Sequence, residues 1–120
     1  MTHKSGTDLI EEAKTRIKEV TPGESMRMRE TDPSIVLLDV REPNEWNLGR
    51  IPGAIFIARG NLESRIEATI PREKKIIIYC ARGNRSALAA DTLQQMGYDD
   101  VASMSQGFLG WVDAGGEVEG

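Results

Sequence analysis

The sequence predicts an α/β domain whose central sheet is parallel and covered by helices on both faces. Three observations lead there. Ile35-Val36-Leu37-Leu38 and Ile76-Ile77-Ile78-Tyr79 are short, continuous apolar runs, as expected of strands buried on both sides. Between them lie segments whose apolar residues recur at helical spacing. The two kinds of segment alternate along the chain, which implies right-handed crossovers between parallel strands.

The elements follow in order. Met1 to Gly6 read as a loose end, and His3, the only histidine, lies in it. Leu9, Ile10, Ala13, Ile17 and Val20 predict an amphipathic helix over Thr7 to Glu19, capped by Thr7 or Ser5. It either packs on the side of the domain or serves as a docking helix. A further short strand is placed near Lys18 to Thr21. Thr21-Pro22-Gly23-Glu24 is a capping box with proline at the first helical position, so a helix should run from Pro22 to about Glu30. Asp32-Pro33 ends it. A strand at about 35–40 comes next, then a short helix over Pro43 to Leu48 with Trp46 turned inward. Gly49-Arg50-Ile51-Pro52-Gly53 is a turn-rich link to a strand at about 54–57. A helix over Ala58 to Ile70 places Leu62, Ile66 and Ile70 on one face, and Pro71 closes it. A strand at about 75–80 leads to a helix over Arg85 to Met96, with Gly97 at its end position. The last strand, at about 100–104, precedes a short helix over Gly107 to Ala114 with Phe108 and Trp111 buried. Residues 1–20 are read as an N-terminal extension and 21–120 as the domain proper.

A chain of 120 residues suffices for one domain with its own core. Its net charge of −4 argues against broad nucleic-acid binding, which needs a basic face. No apolar run is long enough to predict a membrane span. A single cysteine cannot form an internal disulfide, and with no signal-like start a cytoplasmic location is expected. With its one histidine in a frayed end, the chain offers no Cys–His hydrolase and no Cys/His metal site. No metal or organic cofactor is expected.

The chemistry concentrates in Cys80-Ala81-Arg82-Gly83-Asn84-Arg85-Ser86. The cysteine ends an apolar strand and faces the start of a helix, where parallel α/β sheets place their ligand sites. The first N–H groups of a helix have no partner within it and carry the positive end of its dipole. A loop curled around the sulfur can aim these groups at it, with Arg82 and Arg85 adding positive charge. Both effects favour the thiolate, which is the reactive form. The same cradle would hold an approaching anion, and Gly83 allows the tight curl. Asp39 and Arg41 end the neighbouring strand. They form either a surface salt bridge or a brace for the cysteine loop. Glu42 and Glu45 are candidate partners for Arg85. Arg59 follows another strand end, either solvated or reaching the mouth of the site.

Tyr79-Cys80-Ala81-Arg82-Gly83-Asn84-Arg85-Ser86 resembles the active-site loop of the rhodanese family of sulfurtransferases. Leu38-Asp39-Val40-Arg41-Glu42, Gly49-Arg50-Ile51-Pro52-Gly53-Ala54 and Gly107-Phe108-Leu109-Gly110-Trp111 resemble three further motifs of that family, in matching order across roughly 22–119. The resemblance implies a three-layer α/β/α fold with about five strands. It implies a persulfide on Cys80, an anionic donor held by Ala81 to Ser86, and a supporting role for Asp39. A small anionic sulfur donor and an external acceptor, either a small thiol or a thioredoxin-like protein, are the implied partners. Arg50 stands where most members carry histidine. Cysteine phosphatases, which share the cradle, place five residues between cysteine and arginine. Here there are four, and Tyr79 replaces a histidine common before their cysteine. A phosphatase or arsenate reductase, a relay module without turnover and a redox-sensing domain are the competing readings.

Overall fold

Capping residues set where the first helices begin. In the computed structural model, which describes residues 2–120, Ser5 and Asp8 form a reciprocal capping box at α1 (Gly6–Arg16). Thr21 and Glu24 do the same at α2 (Pro22–Thr31), with Pro22 in the first turn. The predicted helix through Glu19 stops earlier, at Arg16. Lys18–Val20 instead form β1, because there they pair in register with Ala102 to Met104 of the last strand. The sheet therefore takes in Lys18–Val20, on the N-terminal side of the boundary expected at residue 20.

The remaining elements are β2 (Val36–Asp39), α3 (Pro43–Leu48), β3 (Ile55–Phe56), a 3-10 turn (Arg59–Asn61), α4 (Leu62–Thr69), β4 (Ile76–Tyr79), α5 (Asn84–Gln95), β5 (Val101–Met104) and α6 (Gly107–Asp113). The sheet order is β1-β5-β4-β2-β3, and every pairing is parallel. β4 is thus the middle strand, and all four of its residues are buried.

Alternation along β4 divides the core. Ile76, Ile78 and Cys80 face one side, packed with Leu62 and Ile66 of α4 and with Ala89, Ala90 and Leu93 of α5. Ile77 and Tyr79 face the other, packed with Leu37, Ile51, Met104 and Trp111. Helix α1 lies against α5, where Arg16 forms a bidentate pair with Asp91 at 2.9 Å and Gln94 bonds the Arg16 carbonyl. Its Leu9 stays exposed. Trp46 departs from expectation: it is half-buried outside both core clusters, stacked on Phe56 and covered by the Arg50 guanidinium. Among the described residues, no helix is long and apolar enough to cross a membrane.

Candidate active site

Because β4 ends at Tyr79, the next residue leaves the sheet at its carboxyl edge. Cys80 sits there on the α5 face, beneath the first turn of that helix. Gly83 caps α5 with φ +99°, a left-handed conformation that glycine adopts without strain. The curl brings two backbone N–H groups onto the sulfur, Gly83 at 3.2 Å and Ser86 at 3.3 Å. Cys80 is 1% exposed and part of the core cluster. The sulfur is therefore buried, yet met by hydrogen-bond donors aimed at it, an arrangement complementary to negative charge.

The loop is held from behind by α6. The Phe108 N–H donates to the Cys80 carbonyl at 2.7 Å and the Leu109 N–H to the Ala81 carbonyl at 3.2 Å. These are first-turn donors that the helix itself cannot satisfy. Since the peptide is planar, turning these carbonyls toward α6 fixes the course of the loop that carries the amides. Gly107 makes this approach possible. Its φ is +53°, and a Cβ there would press on the Cys80 carbonyl oxygen and lie 2.6 Å from Ala81 C and O.

Arg85 points outward into a bidentate pair with Glu45 of α3, at 2.9 and 3.2 Å. Of the two candidate glutamates, Glu45 is the one bonded to it. That hydrogen bond holds the Glu45 carboxyl below its ordinary value, against a smaller opposing effect of burial. The Arg85 guanidinium is raised by the same contact, and the nearby Cys80 sulfur contributes to its field. Arg82 is exposed and lines a cleft with Gln106, Leu109, Gly110 and Asp113 of the α6 segment. Asn84, also exposed, accepts from Lys14 of α1 at 3.3 Å.

Asp39 and Arg41 form no surface salt bridge: they are 0% and 4% exposed. The Arg41 guanidinium binds both Asp39 oxygens, donates to the Gly49 carbonyl at 2.7 Å, and lies 4.4 Å from the Phe108 ring centroid. Burial is the largest single effect and works against its charge, but the hydrogen bonds and the negative charge of Asp39, with smaller help from Tyr79 and Glu45, together outweigh it. The pair sits beside Tyr79 and Phe108, the neighbours of Cys80 and of the α6 clamp. The Tyr79 hydroxyl accepts the Ile51 N–H at 3.2 Å, and burial, followed by the Asp39 charge, pushes its ionisation far up. Arg59 does not join the site. It bonds Glu63 at 3.0 Å and Thr92 at 3.2 Å, two turns down α5 from the loop. Arg50 lies over Trp46 and bonds its carbonyl at 2.9 Å.

Sequence reading missed two parts of the site. One is the α6 clamp. The other is Ser103 of β5, 0% exposed, whose Oγ is 2.8 Å from Ser86 Oγ. A small polar residue within Val-Ala-Ser-Met, a strand otherwise apolar, was the available signal.

A middle-strand cysteine under a helix N-terminus in a five-stranded parallel sheet is shared with a known class of proteins. The rhodanese-like domain model matches residues 21–114, so the chain belongs to the rhodanese family. It is 33% identical over 79 residues to the thiosulfate sulfurtransferase GlpE of Tolumonas auensis, covering 66% of this chain and 74% of that protein. It is 30% identical over 93 residues to the probable adenylyltransferase/sulfurtransferase MoeZ of Mycobacterium tuberculosis, covering 77% of this chain and 24% of that one. The chain thus spans about a quarter of that longer relative. Among solved structures, a protein of unknown function from Rhodopseudomonas palustris, described as a possible tyrosine phosphatase, superposes with a TM-score of 0.89. It is 37% identical, with 99% of this chain and 97% of that chain covered. Sulfurtransferase is the function class that the named curated relatives share.

Proposed function

We propose that this protein transfers sulfane sulfur from a small anionic donor such as thiosulfate to a thiophilic acceptor, through a persulfide on Cys80. The observation that carries the reading is the pair of amide donors, from Gly83 and Ser86, on a sulfur otherwise enclosed by core. In the first step the Cys80 thiolate attacks the outer sulfur of thiosulfate. An S–S bond forms at Sγ, the bond to the sulfonate sulfur breaks, and its electron pair leaves with sulfite. In the second step an acceptor nucleophile attacks the outer sulfur, and the electron pair returns to Sγ. With cyanide the product is thiocyanate, and no net oxidation occurs. This is two-step covalent catalysis aided by fixed dipoles.

Arg82, exposed at the mouth, meets the donor's charge. Loop amides from Ala81 to Ser86 hold the charged outer sulfur of the persulfide. The enclosure of Cys80 favours small donors. With no second cysteine, the persulfide is passed on to an external acceptor, a small thiol or a thioredoxin-like protein, in the cytoplasm. The residues present suffice for both steps without a metal or organic cofactor.

A phosphatase reading is favoured by the description of the R. palustris neighbour. Against it stand the four residues between Cys80 and Arg85 and the engagement of Arg85 by Glu45. One comparison separates the readings. Thiocyanate formation from thiosulfate and cyanide, with no release of phosphate from p-nitrophenyl phosphate, supports sulfur transfer. The reverse pattern overturns it. Persulfide formation with negligible turnover on cyanide would identify a relay module.

A further inference from the structure

One buried hydroxyl lies beside the sulfur and a second lies behind it, with no part yet assigned to either. Ser86 Oγ is 3.5 Å from Cys80 Sγ and 2.8 Å from Ser103 Oγ, and both serines are 0% exposed. Among the described residues, Ser86 Oγ is the hydrogen-bond partner that the structure provides for Ser103 Oγ. Ser103 is opposite Ile78 in the β4–β5 register, one pleat below Cys80 and on the same face.

Counting protons along this chain shows which state of the sulfur it fits. With a thiol there are three donors for two links, so one proton is always left over: the Ser103 hydroxyl proton when S–H donates to Ser86, or the S–H itself when both hydroxyls point toward the sulfur. With a thiolate there are two donors. Ser103 donates to Ser86, Ser86 donates to the sulfur, and both protons are used. An unsatisfied buried donor carries a real cost, whereas a hydrogen bond to a charged acceptor is among the stronger ones. We infer that Ser103 is a positioning residue that acts through Ser86, orienting the Ser86 hydroxyl toward Cys80 and favouring its thiolate. The two amides from Gly83 and Ser86 then share the charge with this third donor.

The charged groups around the sulfur are known and stay the same when Ser103 is changed. They are Arg85 from α5, paired with Glu45 of α3 and with Glu42 beyond it, and Arg82 in the loop. Lys14 of α1 lies at Asn84, and the Asp39–Arg41 pair of the β2 end lies across Tyr79.

The inference is tested on the full chain by following thiolate ultraviolet absorbance against pH, with Cys80→Ser as the blank. This readout needs no sulfur donor, so its outcome is separate from that of the sulfur-transfer reading. Ser103→Ala should displace the profile upward by roughly 0.5 to 1 in pH. Ser86→Ala should displace it at least as far, and the double variant no further than Ser86→Ala alone, because the first serine acts only through the second. Iodoacetamide alkylation at fixed pH should slow several-fold in both single variants. An unmoved profile in Ser103→Ala overturns the inference. So does a double variant displaced by the sum of the singles.

Discussion

Gly107→Ala probes the link between α6 and the sulfur cradle. Two costs can be worked from the geometry. At φ +53° a side chain must adopt a left-handed conformation, which costs about 1–2 kcal/mol for a residue other than glycine. The new Cβ would also overlap the Cys80 carbonyl oxygen and sit 2.6 Å from Ala81 C and O. These are backbone atoms, so the loop must retreat. The bonds from Phe108 and Leu109, at 2.7 and 3.2 Å, then stretch or break, at about 1 kcal/mol each. The total is about 3–4 kcal/mol, read as a lowered midpoint in urea unfolding. Displacing the loop also moves the amides of Gly83 and Ser86 relative to the sulfur. A misplacement of about 1 Å at a reacting centre can cost about a hundredfold in rate. The persulfide-forming rate, followed by stopped-flow sulfite release in the variant that remains folded, should fall on that scale. Gly60→Ala is the control, since nothing lies within 4 Å of its Cβ position and its φ is not positive. A Gly107→Ala protein with wild-type stability and sulfite release would refute the clamp.

Other predictions follow from the same geometry. Asp39→Ala strands a buried guanidinium and should cost about 3–5 kcal/mol in urea unfolding, and an apolar replacement of both Asp39 and Arg41 should cost less. Tyr98→Phe removes the 2.7 Å bond to the Ile70 carbonyl and leaves a buried acceptor unpaired, at about 1–3 kcal/mol by the same measurement. Arg82→Ala, at an exposed site, should raise KM for thiosulfate several-fold while leaving the melting temperature within experimental scatter. The Glu45 carboxyl is depressed in the folded state, so its pairing with Arg85 stabilises above the ordinary glutamate value of 4.5 and is lost as pH falls through the depressed value. Wild type should therefore lose up to about 1 kcal/mol more than Glu45→Gln on acidification through that range, measured by melting at each pH.

The cysteine loop was legible because its signals are contiguous: an apolar strand, a lone cysteine, a glycine and a helix start stand within a dozen residues. The Thr21–Glu24 box was legible for the same reason, since capping is a local rule. What escaped depends on contacts distant in sequence. Ser103 meets Ser86 only because β5 pairs with β4. The Phe108 and Leu109 amides reach the loop only because α6 returns to the end of the sheet. Arg41 left a surface salt bridge and a brace equally open because arginines are usually exposed, and it is buried because Asp39 and the Gly49 carbonyl satisfy it. The short strand expected near Lys18 to Thr21 is present as β1, and only the helix before it was extended too far, because three residues are too few to interrupt a helical pattern. Arg59 follows a strand end as expected, yet the nearer carboxylate of Glu63 captures it.

Intact-protein mass spectrometry after exposure to thiosulfate tests the central claim most directly. The account predicts a gain of one sulfur atom on the wild-type chain, removed by cyanide and absent from Cys80→Ser. An unchanged mass under conditions where Cys80 reacts with a small alkylating agent would contradict it.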